Sequence, residues 1–211
     1  MIREIAVADI ETIHNAIQAG VERVELSADL SVGGVSPDED TVAEAVGLTT
    51  AANIDLVVMV RPRGGDFVYT HDEITEMIQT LKLYRSLGVH YVTFGALDAQ
   101  GHLDRCAMVK LLEAAKPMQV VFHMAFDEIP LDYRAQSLEW LARNHVIRVL
   151  THGGPLTDSI DMCLESLKQT IAWTPEGMAI LPGGGITFVN AVEIASELGV
   201  DEVHGSRIVS F

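Results

Sequence analysis

The residues best suited to chemistry gather behind short apolar stretches. In Val57-Val-Met-Val-Arg-Pro-Arg-Gly-Gly-Asp66, two arginines flank a proline. Pro62 fixes the chain direction, and Gly64-Gly65 permit a turn or a close backbone approach to a ligand. A guanidinium grips a carboxylate or phosphate through two parallel contacts, so Arg61 and Arg63 are candidate anion binders. Arg61 continues the side of the strand that carries Val57 and Met59, which points it inward. A buried arginine needs a partner, and Glu25 is the structural alternative to a ligand. In Val120-Val-Phe-His-Met-Ala-Phe-Asp127, His123 is a candidate general acid/base or metal ligand, with Asp127 or Glu25 setting its state. Thr151 and His152 end another apolar run. Leu181-Pro-Gly-Gly-Gly-Ile-Thr187 supplies Gly183, Gly184 and Gly185, and a later segment supplies His204, Gly205 and Ser206. Backbone N–H groups of such loops can hold phosphate.

The elements that must position these residues form a repeat. Ala19-Gly-Val-Glu-Arg-Val-Glu-Leu26, Leu87-Gly-Val-His-Tyr-Val-Thr-Phe94, Asn144-His-Val-Ile-Arg-Val-Leu-Thr151 and Leu198-Gly-Val-Asp-Glu-Val-His-Gly205 look alike. Each opens with a residue suited to a left-handed helix cap (Gly20, Gly88, His145 and Gly199) and continues as a β-branched strand. Further strands fit Ile2–Val7, Leu56–Val60, Met118–Phe122 and Met178–Leu181. Helical periodicity fits Ile10–Ala19, Glu39–Ala52, a segment opened by the capping box Thr70-His-Asp-Glu73, Asp104–Ala115, Leu131–Arg143, the run through Ile160 and Ile171, and Phe188–Leu198. Strands alternating with helices imply a parallel sheet. Eight of them predict an α/β fold of the TIM-type (β/α)8 barrel class in a single domain, 1–211, with all the candidates above at the C-terminal strand ends. An open doubly wound sheet fits less well, because the first loop, Ala6-Val-Ala-Asp9, has no glycine. Only Ser206–Phe211 follow the last strand, so the final helix is expected to be truncated or missing. The wall formed by the eighth and first strands would then need a partner subunit, which predicts a homo-oligomer, a dimer or higher.

The chain has 211 residues, 48% hydrophobic, with a mean hydropathy of +0.24. Its formal net charge is −16. That charge opposes a phosphate backbone and argues against nucleic acid as a partner. The surplus acid is expected on outer helix faces. No apolar run reaches the length a bilayer requires, and the first residues lack a secretory pattern, so a cytoplasmic location is expected. Cys106 and Cys163 read as small core residues on outer helices, in a reducing compartment.

Several motifs together resemble the CutC copper homeostasis family: Glu22-Arg-Val-Glu-Leu26, Gly33-Gly-Val-Ser-Pro37, Val58-Met-Val-Arg-Pro-Arg-Gly-Gly-Asp-Phe-Val-Tyr69, Phe122-His-Met-Ala-Phe-Asp127, Val149-Leu-Thr151 and Gly183-Gly-Gly-Ile186. They run in order over nearly the whole chain. The resemblance implies a TIM-type barrel, a cytoplasmic oligomer, and copper binding or trafficking. The family typically has Cys where this chain has Ala6 and Ser27, Arg where it has Met124, and Thr-Ser-Gly where it has Thr151-His152-Gly153. Copper(I) prefers thiolate and thioether ligands. With those thiols absent, the copper candidates are His123, Met124 and His152, with Met59 also near the mouth.

Two readings follow. The resemblance implies a copper-handling protein. The residues alone suggest a barrel enzyme or binding protein for a small anionic ligand, phosphorylated ones included. In that reading Arg61 and Arg63 neutralise charge, the Gly183–Gly185 loop with Gly205 and Ser206 holds the anion, and His123 moves protons with Glu25 or Asp127. The residue pattern alone specifies no metal set and no reaction.

Overall fold

A computed structural model describes residues 1–211. Eight strands alternate with seven helices: β1 (Ile2–Val7), α1 (Ile10–Gln18), β2 (Arg23–Leu26), α2 (Glu39–Ala52), β3 (Asp55–Met59), α3 (His71–Ser86), β4 (Tyr91–Phe94), α4 (Arg105–Ala115), β5 (Gln119–Phe122), α5 (Leu131–Arg143), β6 (Val146–Thr151), α6 (Ile160–Trp173), β7 (Ala179–Pro182), α7 (Ala191–Leu198) and β8 (Glu202–Gly205). All pairings are parallel, in the order β7-β6-β5-β4-β3-β2-β1-β8. The ends of this ladder meet beyond the strands. Thr187 bridges Arg207, and the Phe188 N–H donates to the Arg207 carbonyl. The result is a nearly closed TIM-type barrel.

Local sequence explains the element ends. The expected left-handed caps are present: Gly20, Gly88, His145 and Gly199 have φ of 75°, 87°, 63° and 66°. Thr70 and Glu73 make both hydrogen bonds of the capping box. Helix α7 starts at Ala191, later than the expected Phe188, because the Thr187 N–H bonds the Asn190 side chain in a turn.

Side-chain alternation divides the barrel. Ile5, Val7, Val24, Leu26, Val58, Val92, Val149 and Val203 pack outward against the helices. Within the barrel, Val57, Val121, Leu150 and Leu181 form a small apolar cluster, joined by Tyr91 and Met124. Buried charges also lie inside, contrary to the expectation that acid stays on the surface. Glu4 and Glu202 are buried and neutralised by Arg23, and Glu202 also takes Arg148 Nε at 2.9 Å. A carboxylate in such a place is tolerated only when paired.

No helix follows β8, as expected. On the wall it would cover, Ile5 and Val203 are fully buried, and Ile208 and Val209 are buried in the same cluster. Cys163 packs in the core, whereas Cys106 is exposed, which corrects its expected burial. Ala107, Met108 and Leu111 form the buried face of α4, and one step along a helix turns Cys106 out of it. No helix is long and apolar enough to cross a membrane.

Candidate functional site

Three contiguous cavities open at the C-terminal end of the barrel. The innermost, about 130 Å3, is lined by Ala6, Glu25, Ser27, Met59, Arg61, Phe67, His123, Met124 and His204, among others. A second, about 410 Å3, shares Phe67 and Met124 with it and adds Asp127, Glu128, Arg134 and Leu156. A third, about 210 Å3, shares Ala6, Met124 and His204 with the innermost and is floored by Gly184, Gly185, Gly205 and Ser206. Met124 lines all three.

The innermost cavity collects polar atoms that the protein leaves unsatisfied. Glu25 Oε2, Ser27 Oγ, Arg61 Nε and His123 Nε2 are buried without a hydrogen-bond partner. Leaving such an atom unpaired costs about 1–3 kcal/mol, so four around one cavity point to a polar ligand.

Arg61 points inward, as its strand position predicted. It does not pair with Glu25. Its Nη1 donates to the carbonyls of Val32 and Gly34, both at 3.1 Å, and its Nη2 to that of Gly65 at 2.6 Å. The guanidinium lies over the Phe67 ring, 4.6 Å from its centre. Carbonyls satisfy its N–H groups but leave the charge without a counter-charge. Arg63, two residues on, faces away. It pairs with Glu73 at 2.5 Å and Asp66 at 3.0 Å, and lines none of the three cavities.

The Ala125 N–H donates to His123 Nδ1 at 3.2 Å. The ring is therefore a neutral imidazole with its proton on Nε2, aimed at the cavity side. Burial, and then the Arg61 charge, pull its pKa down to about 3. Asp127 does not orient it, contrary to expectation. Asp127 instead accepts from Thr151 Oγ1 at 2.5 Å, His152 N at 2.8 Å and Gly153 N at 3.0 Å. The 3-10 turn Met124–Glu128 swings it onto the end of β6. Burial, opposed by these bonds, raises its pKa.

Glu25 and His204 carry the acid/base capacity. Burial, with Glu4 nearby, lifts Glu25 to about 7 despite the attraction of His204. His204 Nδ1 donates to Glu4 Oε1 at 2.8 Å. Burial opposes its charged form, but Glu25 and Glu4 outweigh that and raise its pKa. Ligating atoms of Glu4, Glu25 and His204 lie within 4.8 Å of one another.

His152 Nδ1 donates to the Gly183 carbonyl at 3.0 Å, tying β6 to the glycine loop; its Nε2 is unpartnered. A side chain at Gly183 would overlap Leu150, Met124 and His204. Gly184 and Gly185 have φ of 83° and 75°. The reading of the sequence missed Glu4, Arg23, Arg148, Glu202 and Arg207. The signal for two of them was present: Arg23 and Glu25 alternate with Val24 and Leu26, and Glu202 and His204 flank Val203. Charges repeating with period two inside a strand face the barrel interior together.

Comparison with known proteins finds a match to the model of the CutC family over residues 1–209. A CutC family protein of Enterococcus faecalis is 36% identical over 209 residues, covering 99% of this chain and 100% of that protein. One from Mesorhizobium japonicum is 40% identical over 201 residues, covering 95% of this chain and 75% of that protein. The crystal structure of a CutC protein from Streptococcus agalactiae superposes with a TM-score of 0.96 at 32% identity, covering 99% of this chain and 100% of that one.

Proposed function

The chain belongs to the CutC family, and from that premise and the geometry of its mouth we propose that it transfers protons on a small anionic substrate in the innermost cavity. The observation that carries this reading is the set of unsatisfied groups on Glu25, Ser27, Arg61 and His123 around one space.

These groups divide into two kinds. Arg61 Nε–H and His123 Nε2–H are donors that hold no removable proton near neutral pH. They suit a substrate oxygen on which negative charge develops. Glu25, lifted to about 7, titrates where acid/base catalysis is most effective, while Glu25 and Glu4 raise His204 above its ordinary value. His204, whose protonated form Glu25 and Glu4 favour, is the acid; Glu4 keeps its Nδ1–H, so the proton it gives to the substrate is the one on Nε2. The Glu25 carboxylate is the base that takes a proton from the substrate. Phe67 and Met124 screen the cavity from water.

Deuterium exchange into small keto and hydroxy acids, followed by proton NMR, tests this reading. Wild-type protein should wash out an acidic C–H signal that Glu25→Gln leaves intact. Retention of every signal across the panel, with no compound raising the melting temperature, overturns it.

A second reading takes copper(I) as cargo. Ala6 and Ser27, the positions where the resemblance expects cysteine, both line the innermost cavity, but neither supplies sulfur. Cys106 and Cys163 lie outside it. What favours this reading is that the thioethers of Met59 and Met124 share the cavity with His123 Nε2, which would join them as a ligand by giving up its proton. Three such donors suit copper(I) less well than a thiolate set. His152, the other expected ligand, lines none of the three cavities. Competition with a copper(I) chelator decides it: affinity weaker than about micromolar excludes a trafficking role.

A further inference from the structure

We propose that the substrate is a phosphate monoester, with its phosphate seated between the loops that follow β7 and β8 and its reactive end reaching His204 and Glu25. The inference rests on the proton-transfer reading for that reactive end.

The seat is the cavity of about 210 Å3. Gly184, Gly185 and Ile186 line it from one side, and Ser206 and Arg207 from the other. The backbone N–H groups of Gly184, Gly185, Ile186 and Ser206 donate to no acceptor within the chain. Free amides at neighbouring turns form a concavity suited to an anion with several oxygens. The two loops are held at this separation by contact of their main chains. A Cβ on Gly205 would come within 2.2 Å of the Ile186 carbonyl oxygen. Gly184 and Gly185 have left-handed φ, which turns the chain where a side chain would be strained.

Charge points the same way. The chain carries 30 acidic residues against 14 Lys and Arg. Arg3, Arg23, Arg63, Arg143 and Arg148 all pair with carboxylates. Arg207 pairs with none and makes no side-chain hydrogen bond, and it borders this cavity. An unpaired arginine beside free amides suits a dianion better than a carboxylate, which has fewer oxygens to share among them. Buried His204 and half-buried Ala6 and Met124 line both this cavity and the innermost one. One molecule can therefore place its phosphate in the outer space and its carbon framework beside the acid/base pair.

Binding of inorganic phosphate, ribose 5-phosphate and ribose to the whole chain, read by calorimetry and melting temperature, tests the seat. The ester should bind saturably and stabilise, and ribose should do neither. Arg207→Glu, on an exposed side chain, should weaken the ester by about tenfold or more, and so should Ser206→Asp. Arg143→Gln, which removes an arginine outside all three cavities, should leave ester affinity within about twofold. Absence of ester binding, or equal affinity in wild type and Arg207→Glu, overturns the seat. Binding of inorganic phosphate without the ester overturns it too, marking an adventitious ion only. Deuterium exchange into unphosphorylated acids without ester binding removes the phosphate seat and leaves the proton-transfer reading standing. Ester binding with no exchange into any compound, phosphorylated or not, removes the proton-transfer reading and leaves only a phosphate seat.

Discussion

Glu4 and His204 are register partners on adjacent strands, 200 residues apart in the chain, and their side chains meet at 2.8 Å inside the barrel. The carboxylate also takes the Arg23 guanidinium, which in turn holds Glu202. Glu4 therefore does two jobs: it neutralises a buried cation and fixes the tautomer of the imidazole.

Glu4→Gln should separate these effects. Removing one member of a buried ion pair costs about 3 kcal/mol or more, reduced here because Arg23 keeps Glu202. Urea unfolding measures that loss. The His204 pKa should fall at the same time, since Glu4 is one of the two carboxylates that raise it. An unchanged His204 titration by NMR would contradict the assigned pairing.

Glu25→Gln should stabilise the protein at alkaline pH. Glutamate has an ordinary value of 4.5, and burial lifts Glu25 to about 7. Above both values the folded state holds an ionised carboxylate that the unfolded state ionises more easily. The penalty grows as pH rises from 4.5 to about 7 and approaches about 3 kcal/mol. The glutamine variant escapes it, so its stability advantage should be largest near about pH 8 and vanish below the unfolded value. Denaturant midpoints at several pH values check this. A constant difference across pH would show that Glu25 titrates normally.

The barrel was legible in the sequence because its punctuation is local. Gly20, Gly88 and Gly199 need only their own φ, and Thr70 with Glu73 needs only one helical turn. Strand parity is local as well, which is why Arg61 was placed inward. Partners are not local. Sequence proximity suggested Asp127 for His123, but the intervening 3-10 turn sends Asp127 to Thr151, His152 and Gly153. Neighbouring strands suggested Glu25 for Arg61, but the carbonyls of Val32, Gly34 and Gly65 arrive from loops. Glu4 meets His204 only because the last strand closes beside the first.

His123→Asn should gain stability over the wild type as pH falls below 6.5. An asparagine oxygen can still accept the Ala125 N–H, so the local turn survives. Wild-type His123, pulled to about 3 by burial and then by Arg61, stays neutral in the fold while the unfolded chain protonates near 6.5. The contribution of His123 to stability is therefore lost as pH falls from 6.5 toward 3, with a slope approaching about 1.4 kcal/mol per pH unit. Between 6.5 and 4.5, above the range where Glu4 begins to lose its own contribution, Glu25 gains stability as pH falls in both proteins, so the stability difference between variant and wild type should grow by about 1.4 kcal/mol per pH unit. Thermal or urea unfolding across this window measures it, and parallel profiles for the two proteins would refute it.

Two glycines should respond to alanine in opposite directions. Gly205 has ordinary φ, yet its added Cβ would sit 2.2 Å from the Ile186 carbonyl oxygen, a main-chain atom that cannot rotate away. Relief requires the loops after β7 and β8 to part, and with them the Thr187–Arg207 bridge that holds the barrel ends together. Gly205→Ala should therefore cost about 2 kcal/mol or more. Gly47 lies inside α2 with nothing within 4 Å of its added Cβ. There alanine relieves the backbone entropy cost of glycine in a helix, and Gly47→Ala should stabilise by about 0.5–1 kcal/mol. Urea midpoints of the two variants against wild type give the comparison. If Gly205→Ala were neutral, the close approach of the two loops would have to be wider than the structure shows, and the seat proposed between them would lose its walls.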